Sequence, residues 1–264
     1  MMMHGIIQNN GVNIHYVMNN NSLSKITLLF VPGGMMPLWV WEKQIAYFSQ
    51  NYTTVAIDPR SQGESSETPE GQYAEGRASD IRAVVNGLNL RNVIFIGWSL
   101  AVSELVVYHH VYGEEGINGL VLVDGLVGLD VGSRIFQEMR DYWLEVQKDR
   151  KKMTAEFVKG MFVQSQPTGV IESLTNEAMK VPTATMVSFI LNLILTDYRS
   201  LLSSISVPTF IIGCKGQREE NMLEVQQLIP RSHLMMIENA GHALFMDQPD
   251  LFNAALQKFI GSIE

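Results

Sequence analysis

The chain alternates short apolar runs with amphipathic segments. Ile6-Ile7-Gln8 and Val12 to Val17 flank Asn9-Asn10-Gly11, and Asn-Gly between apolar runs is a strong hairpin signal, so two antiparallel strands are predicted first. After a mostly polar turn over 19–24, strands and helices take turns. Ile26 to Val31 precedes a helix over 38–49, Thr53 to Ile57 a helix over 73–88, and Val93 to Ile96 a helix after Ser99, followed by a strand over 119–123. Continuous apolar strands separated by helices predict a mostly parallel sheet covered on both faces.

The alternation stops between Gly125 and Val207, where only helical patterns occur; Ile135, Phe136, Met139, Tyr142, Trp143 and Val146 form one apolar face. Strands return over 208–213 and 234–237, each followed by a helix, over 219–229 and 249–260. We expect a core of 1–125 and 205–264, with 126–204 inserted as a helical lid over one sheet edge.

The 46% apolar content of these 264 residues can fill one sizeable core. A net charge of −8 gives no basic footprint for nucleic acid or an anionic membrane, so a small hydrophobic molecule is the expected partner. The single cysteine, Cys214, allows no internal disulfide and fits a cytoplasmic location. We read neither a signal peptide nor a membrane span: no basic segment leads into a long apolar one, and the run over 189–195 is interrupted by Asn192. Scattered histidines and the lone cysteine lack metal-ligand spacing, and no phosphate loop occurs, so no cofactor is expected.

The chemistry concentrates at the carboxyl ends of the strands, where open α/β sheets place reactive groups. Ser99 stands where Val93-Ile94-Phe95-Ile96-Gly97-Trp98 turns into a helix. A serine there is a common helix N-cap; as a nucleophile it needs a base, a group to orient that base, and oxyanion donors. Of the histidines, His242 hangs from the loop Glu238-Asn239-Ala240-Gly241 after the last strand, at the edge where Ser99 lies.

Gly97-Trp98-Ser99-Leu100-Ala101 resembles the nucleophile elbow of the α/β-hydrolase fold. Asp58-Pro59-Arg60-Ser61-Gln62-Gly63-Glu64-Ser65 is similar to that family's D-x-R-G-x-G-x-S loop, and Asn239-Ala240-Gly241-His242 to its histidine loop. The order of elements matches over nearly the whole chain. Ala101 departs from the pattern, which has glycine there. The resemblance implies Ser99 as nucleophile, His242 as base, and the Gly34 and Leu100 amides as oxyanion donors, with Pro32 standing where a histidine is common.

The acid is where the pattern breaks. The resemblance puts an aspartate three residues past Gly213, and that position holds Gly216. Asp124, which ends Leu120-Val121-Leu122-Val123, is the preferred replacement, as some members carry their acid after this sixth strand; Glu219 and Glu220 are the alternatives. A pocket of Met35, Met36, Trp98, Trp143 and Phe189 would suit an apolar acyl group, and Arg60 and Glu64 would order a nearby loop. The implied activity is hydrolysis of a small to medium hydrophobic ester or thioester. Other cofactor-free chemistry of the fold (carbon–carbon hydrolysis, haloperoxidase-like perhydrolysis, lyase reactions) and a non-catalytic small-ligand receptor are the rival readings, while Ser99 excludes an aspartate nucleophile.

Overall fold

The computed structural model describes residues 2–216 and 218–263. Its strands are β1 (Met3–Asn9), β2 (Val12–Asn19), β3 (Thr27–Val31), β4 (Thr53–Ile57), β5 (Val93–Trp98), β6 (Ile117–Val123), β7 (Thr209–Cys214) and β8 (Ser232–Ile237). The helices are α1 (Glu42–Phe48), α2 (Ala74–Gly87), α3 (Leu100–Tyr112), α4 (Arg134–Lys148), α5 (Arg150–Gly160), α6 (Val170–Lys180), α7 (Thr183–Leu195), α8 (Glu219–Leu228), α9 (Leu244–Asp247) and α10 (Pro249–Gly261).

The strands form one 8-stranded sheet in the order β1-β2-β4-β3-β5-β6-β7-β8. The β1–β2 and β2–β4 pairs are antiparallel and the others parallel. Asn10 and Gly11 turn the first hairpin at φ 49° and 84°, the left-handed pair an Asn-Gly turn favours. Alternation along the strands divides the core: Leu28, Phe30, Ile94 and Ile96 face α1, α10 and the inserted helices, whereas Leu29, Val31, Val93 and Phe95 face α2, α3 and α8.

The predicted helix over 38–49 begins instead as a 3₁₀ turn, Leu38–Trp41, whose Trp41 stacks on Phe245 with ring centroids 3.8 Å apart. The tighter turn follows Pro37, which has no N–H to donate. Helices α4 to α7 lie between β6 and β7, and their apolar faces join the first core layer through Val146, Val158, Leu174 and Phe189. Among the described residues no single helix is long and apolar enough to cross a bilayer; α6 and α7 qualify only as a pair bent by 93°.

Candidate active site

Register brings the site together. Trp98 pairs with Val123, and Val123 with Ile212, so β5 and β6 end level while β7 runs two residues further, to Cys214. Ser99 N–H then donates to Val123 O at 2.9 Å and Asp124 N–H to Ile212 O at 2.9 Å. Both residues leave their strands in the left-handed region, Ser99 at φ 59° and Asp124 at φ 42°, which turns their side chains into a common cleft. The turn around Ser99 tolerates little bulk. A Cβ on Gly97 would lie 2.7 Å from Leu105 Cδ1 and 3.0 Å from Ala101 O, and one on Gly125 would lie 2.5 Å from Ser99 O. Gly97 thus takes the close strand–helix approach, and the Ala101 methyl is buried without distorting α3.

Ser99 occupies the N-cap position of α3, yet its hydroxyl makes no cap hydrogen bond. Its Oγ lies instead 2.9 Å from His242 Nε2, and His242 Nδ1 lies 2.5 Å from Asp124 Oδ2. The carboxylate as acceptor fixes the proton on Nδ1, which leaves Nε2 with a free lone pair facing the serine. Trp98 Nε1–H donates to His242 O at 2.9 Å, and Asp247 accepts from the Gly241 and Val163 N–H groups, each at 2.8 Å, so the histidine loop is tied to both the sheet and the insert. Glu219 and Glu220 begin α8, and neither bonds to His242.

Arg218, on which sequence reasoning placed no role, completes the cluster. Its Nη1 donates to Asp124 Oδ2 at 3.0 Å and stands 3.0 Å from His242 Nδ1. Because Nδ1 carries its own proton, two donors converge on one carboxylate oxygen, while Cys214 N–H reaches Asp124 Oδ1 at 3.3 Å. Burial opposes ionisation of Asp124, but the His242 hydrogen bond and the His242 and Arg218 charges outweigh it and hold the carboxyl below its ordinary value. Burial, then the charge of Arg218, lower the His242 pKa against the pull of Asp124. Burial and the adjacent Asp124 charge push the Cys214 thiol up to about 12, so it stays protonated.

Beside Ser99, Gly34 faces Leu100: a Cβ on Gly34 would sit 3.3 Å from Leu100 Cδ2. The Gly34 N–H donates to no acceptor among the described residues, and Leu100 opens α3, where no carbonyl four residues back lies within the helix. Gln62 holds the Gly34 turn by donating to Gly33 O at 2.9 Å and Met36 O at 2.8 Å. Arg60 orders the neighbouring loop through Asp80 at 2.7 Å; Glu64 takes part through its backbone, donating to Asp58.

A cavity of about 340 Å³ opens over Ser99 and His242. Met35 and Phe189 line it, together with Met139, Tyr142, Phe157 and Leu193. Met36, Trp98 and Trp143 do not. Trp98 precedes Ser99 on the strand and therefore faces the other way, packing between His242 and Phe245 at ring-centroid distances of 5.1 and 5.0 Å. Met36 is 1% exposed beneath the turn, and Trp143 packs within the insert, one position round α4 from Tyr142.

The model of the Alpha/beta hydrolase family matches residues 28–255. The chain belongs to that family. It is 25% identical over 244 residues to a non-heme haloperoxidase of Rhodococcus erythropolis, covering 84% of this chain and 87% of that one. Among solved structures it resembles a bromoperoxidase from Bacillus anthracis, with TM-score 0.90, 21% identity and coverage of 98% and 100%. An esterase from Exiguobacterium antarcticum is similar to the same degree, with TM-score 0.90, 22% identity and coverage of 98% and 100%. As a member of the alpha/beta hydrolase family, the chain is a hydrolase in its general chemistry.

Proposed function

We propose that this hydrolase cleaves small to medium carboxylic esters with an apolar acyl group through Ser99, His242 and Asp124. The observation that carries the reading is the Ser99 Oγ to His242 Nε2 distance of 2.9 Å, continued by 2.5 Å to Asp124, under a mainly apolar cavity. Ser99 Oγ attacks the ester carbonyl as its proton passes to His242 Nε2. The carbonyl oxygen becomes the oxyanion and accepts from the Gly34 and Leu100 amides. The intermediate collapses, the C–O bond breaks, and His242 returns its proton to the departing alkoxide. Water then attacks the acyl-enzyme, loses a proton to His242, and releases the carboxylic acid as Ser99 recovers its hydrogen.

Asp124, buried and ionised, holds the tautomer and stabilises the imidazolium. Residues 126–204 act as a lid whose apolar faces cover the acyl chain. The low His242 pKa keeps the base free at neutral pH. A cytoplasmic setting suits a chain with one cysteine.

The similarity to a non-heme haloperoxidase supports a second outcome at the same acyl-enzyme, in which hydrogen peroxide replaces water and the product is a peracid. The test is turnover of p-nitrophenyl esters of increasing chain length by the wild type and Ser99→Ala, with and without hydrogen peroxide. Multiple turnovers that vanish in Ser99→Ala support the reading; ester cleavage that survives the substitution overturns it. Peracid formed only with peroxide adds the second activity.

A further inference from the structure

We propose that Arg218 selects substrates that carry a carboxylate a few bonds from the scissile carbonyl, an inference that rests on the ester-hydrolase reading of the site. In a mainly apolar pocket Arg218 is the one cationic side chain besides the triad histidine among the described lining residues. Arg218 lines the cavity with a side chain 28% exposed, beside Met35, Phe189 and Leu193. One nitrogen, Nη1, is committed to Asp124. Among the described residues Nε and Nη2 have no acceptor, so one edge of the planar fork is unpaired.

Asp124 already has the His242 hydrogen bond it needs for orientation. A second donor on the same oxygen is unnecessary for that task, and its positive charge works against it by opposing protonation of His242. An anion on the free edge of Arg218 offsets that charge. It would pair side-on through two parallel N–H···O bonds, the geometry in which arginine recognises carboxylates best. Substrate binding would thereby also relieve the pressure on His242 as it takes the serine proton.

The position sets the reach. Arg218 Nη1 is 3.0 Å from Nδ1 and Ser99 Oγ 2.9 Å from Nε2 of the same imidazole, so guanidinium and nucleophile stand on opposite edges of one ring. A short dicarboxylate half-ester spans that separation. The other acidic group on the cavity wall outside the triad, Glu138, is drawn to Arg134 at 2.9 Å and leaves Arg218 to an incoming anion.

The experiment compares matched acid and amide substrates. p-Nitrophenyl hemiglutarate and its primary amide place the carboxylate on the acyl side; 4-acetoxybenzoate and 4-acetoxybenzamide place it on the leaving group. For wild type we expect kcat/KM to favour the acid by at least about tenfold in one pair. The preference falls to near one in Arg218→Gln and is intermediate in Arg218→Lys, which keeps the charge and loses the fork. Equal use of acid and amide by wild type in both pairs, or a preference unchanged in Arg218→Gln, overturns the proposal. Ser99→Ala protein separates this from the hydrolase reading: calorimetric binding of monomethyl glutarate over its amide, lost on adding Arg218→Gln, supports the subsite even where no ester turns over. Absence of that binding preference counts against it.

Discussion

Arg77 Nη2 donates to Gln62 Oε1 at 2.6 Å, and this one hydrogen bond decides which way the Gln62 amide faces. With its oxygen held by Arg77, its nitrogen must point at the Gly33 and Met36 carbonyls. Arg77 is fixed in turn by Glu104 on α3, 2.5 Å away, so the turn that carries Gly34 is tied through two side chains to the helix that follows Ser99. Both proposed oxyanion donors are referred to one rigid frame. That is how a glycine turn on a loop keeps the precision that electrostatic stabilisation demands.

Gln62→Glu should therefore act on kcat more than on KM. A carboxylate cannot donate to either carbonyl, and its charge faces two carbonyl oxygens in a buried place. We expect kcat on a p-nitrophenyl ester to fall on the order of 10²-fold, the scale of losing one oxyanion donor. Equal kcat in variant and wild type would show that the turn holds its shape without Gln62.

Asp124→Asn removes the acceptor that fixes the His242 tautomer while keeping shape. A fall in kcat on the order of 10⁴-fold is expected, with an unchanged circular dichroism spectrum. Glu219→Gln and Glu220→Gln, which begin α8 without touching His242, should leave turnover within about twofold, since surface carboxylates at a helix start contribute mainly a small dipole term.

The pH profile follows from His242. Its pKa is lowered by burial and by Arg218, so the imidazole is the neutral base at neutral pH and protonates only below the ordinary value of 6.5. For a neutral ester, the acid limb of kcat/KM should have its midpoint below the ordinary value of 6.5. Removing the positive charge in Arg218→Gln favours imidazolium, so the acid limb should move to higher pH. A wild-type limb above 6.5, or a limb in the variant that stays put or moves down, would contradict the electrostatics of the cluster.

What was legible in the sequence divides along physical lines. Thr53–Ile57 reads as a strand because four of its five residues are β-branched and no turn residue interrupts it. Ser99, Asp124 and His242 could be placed at one edge because each follows a strand of the same parallel sheet, and topology alone orders such ends. Arg218 could not. A cation beside two glutamates at a helix start reads as surface, and its approach to Asp124 depends on the register that pairs Val123 with Ile212, which the pattern does not carry. Trp98 and Met36 were misplaced for a related reason: proximity in sequence to Ser99 or to the Gly34 turn says nothing about which side a side chain faces. The helices between β6 and β7 show an amphipathic face but no signal for which neighbours that face will meet.

The close approach at the elbow offers the last test, through a pair of substitutions that differ by one methyl in opposite senses. A Cβ on Gly125 would lie 2.3 Å from Val102 Cγ2 and 2.5 Å from Ser99 O. Val102 Cβ would also lie 2.5 Å away, where no rotamer change moves it, and the Ser99 carbonyl is backbone and accepts the Val102 N–H at 3.1 Å, so the first turn of α3 must shift. Gly125→Ala should cost about 2 kcal/mol or more in stability, read as a lower melting temperature, and should lower kcat as well because Ser99 moves with its carbonyl. Ala101→Gly supplies the glycine usual at that place in the family. Gly97 already takes the close approach, so the lost methyl relieves nothing, and the added backbone freedom within α3 should cost about 1 kcal/mol with kcat nearly unchanged. If Ala101→Gly instead stabilised the fold or raised kcat, the alanine would be straining the elbow after all.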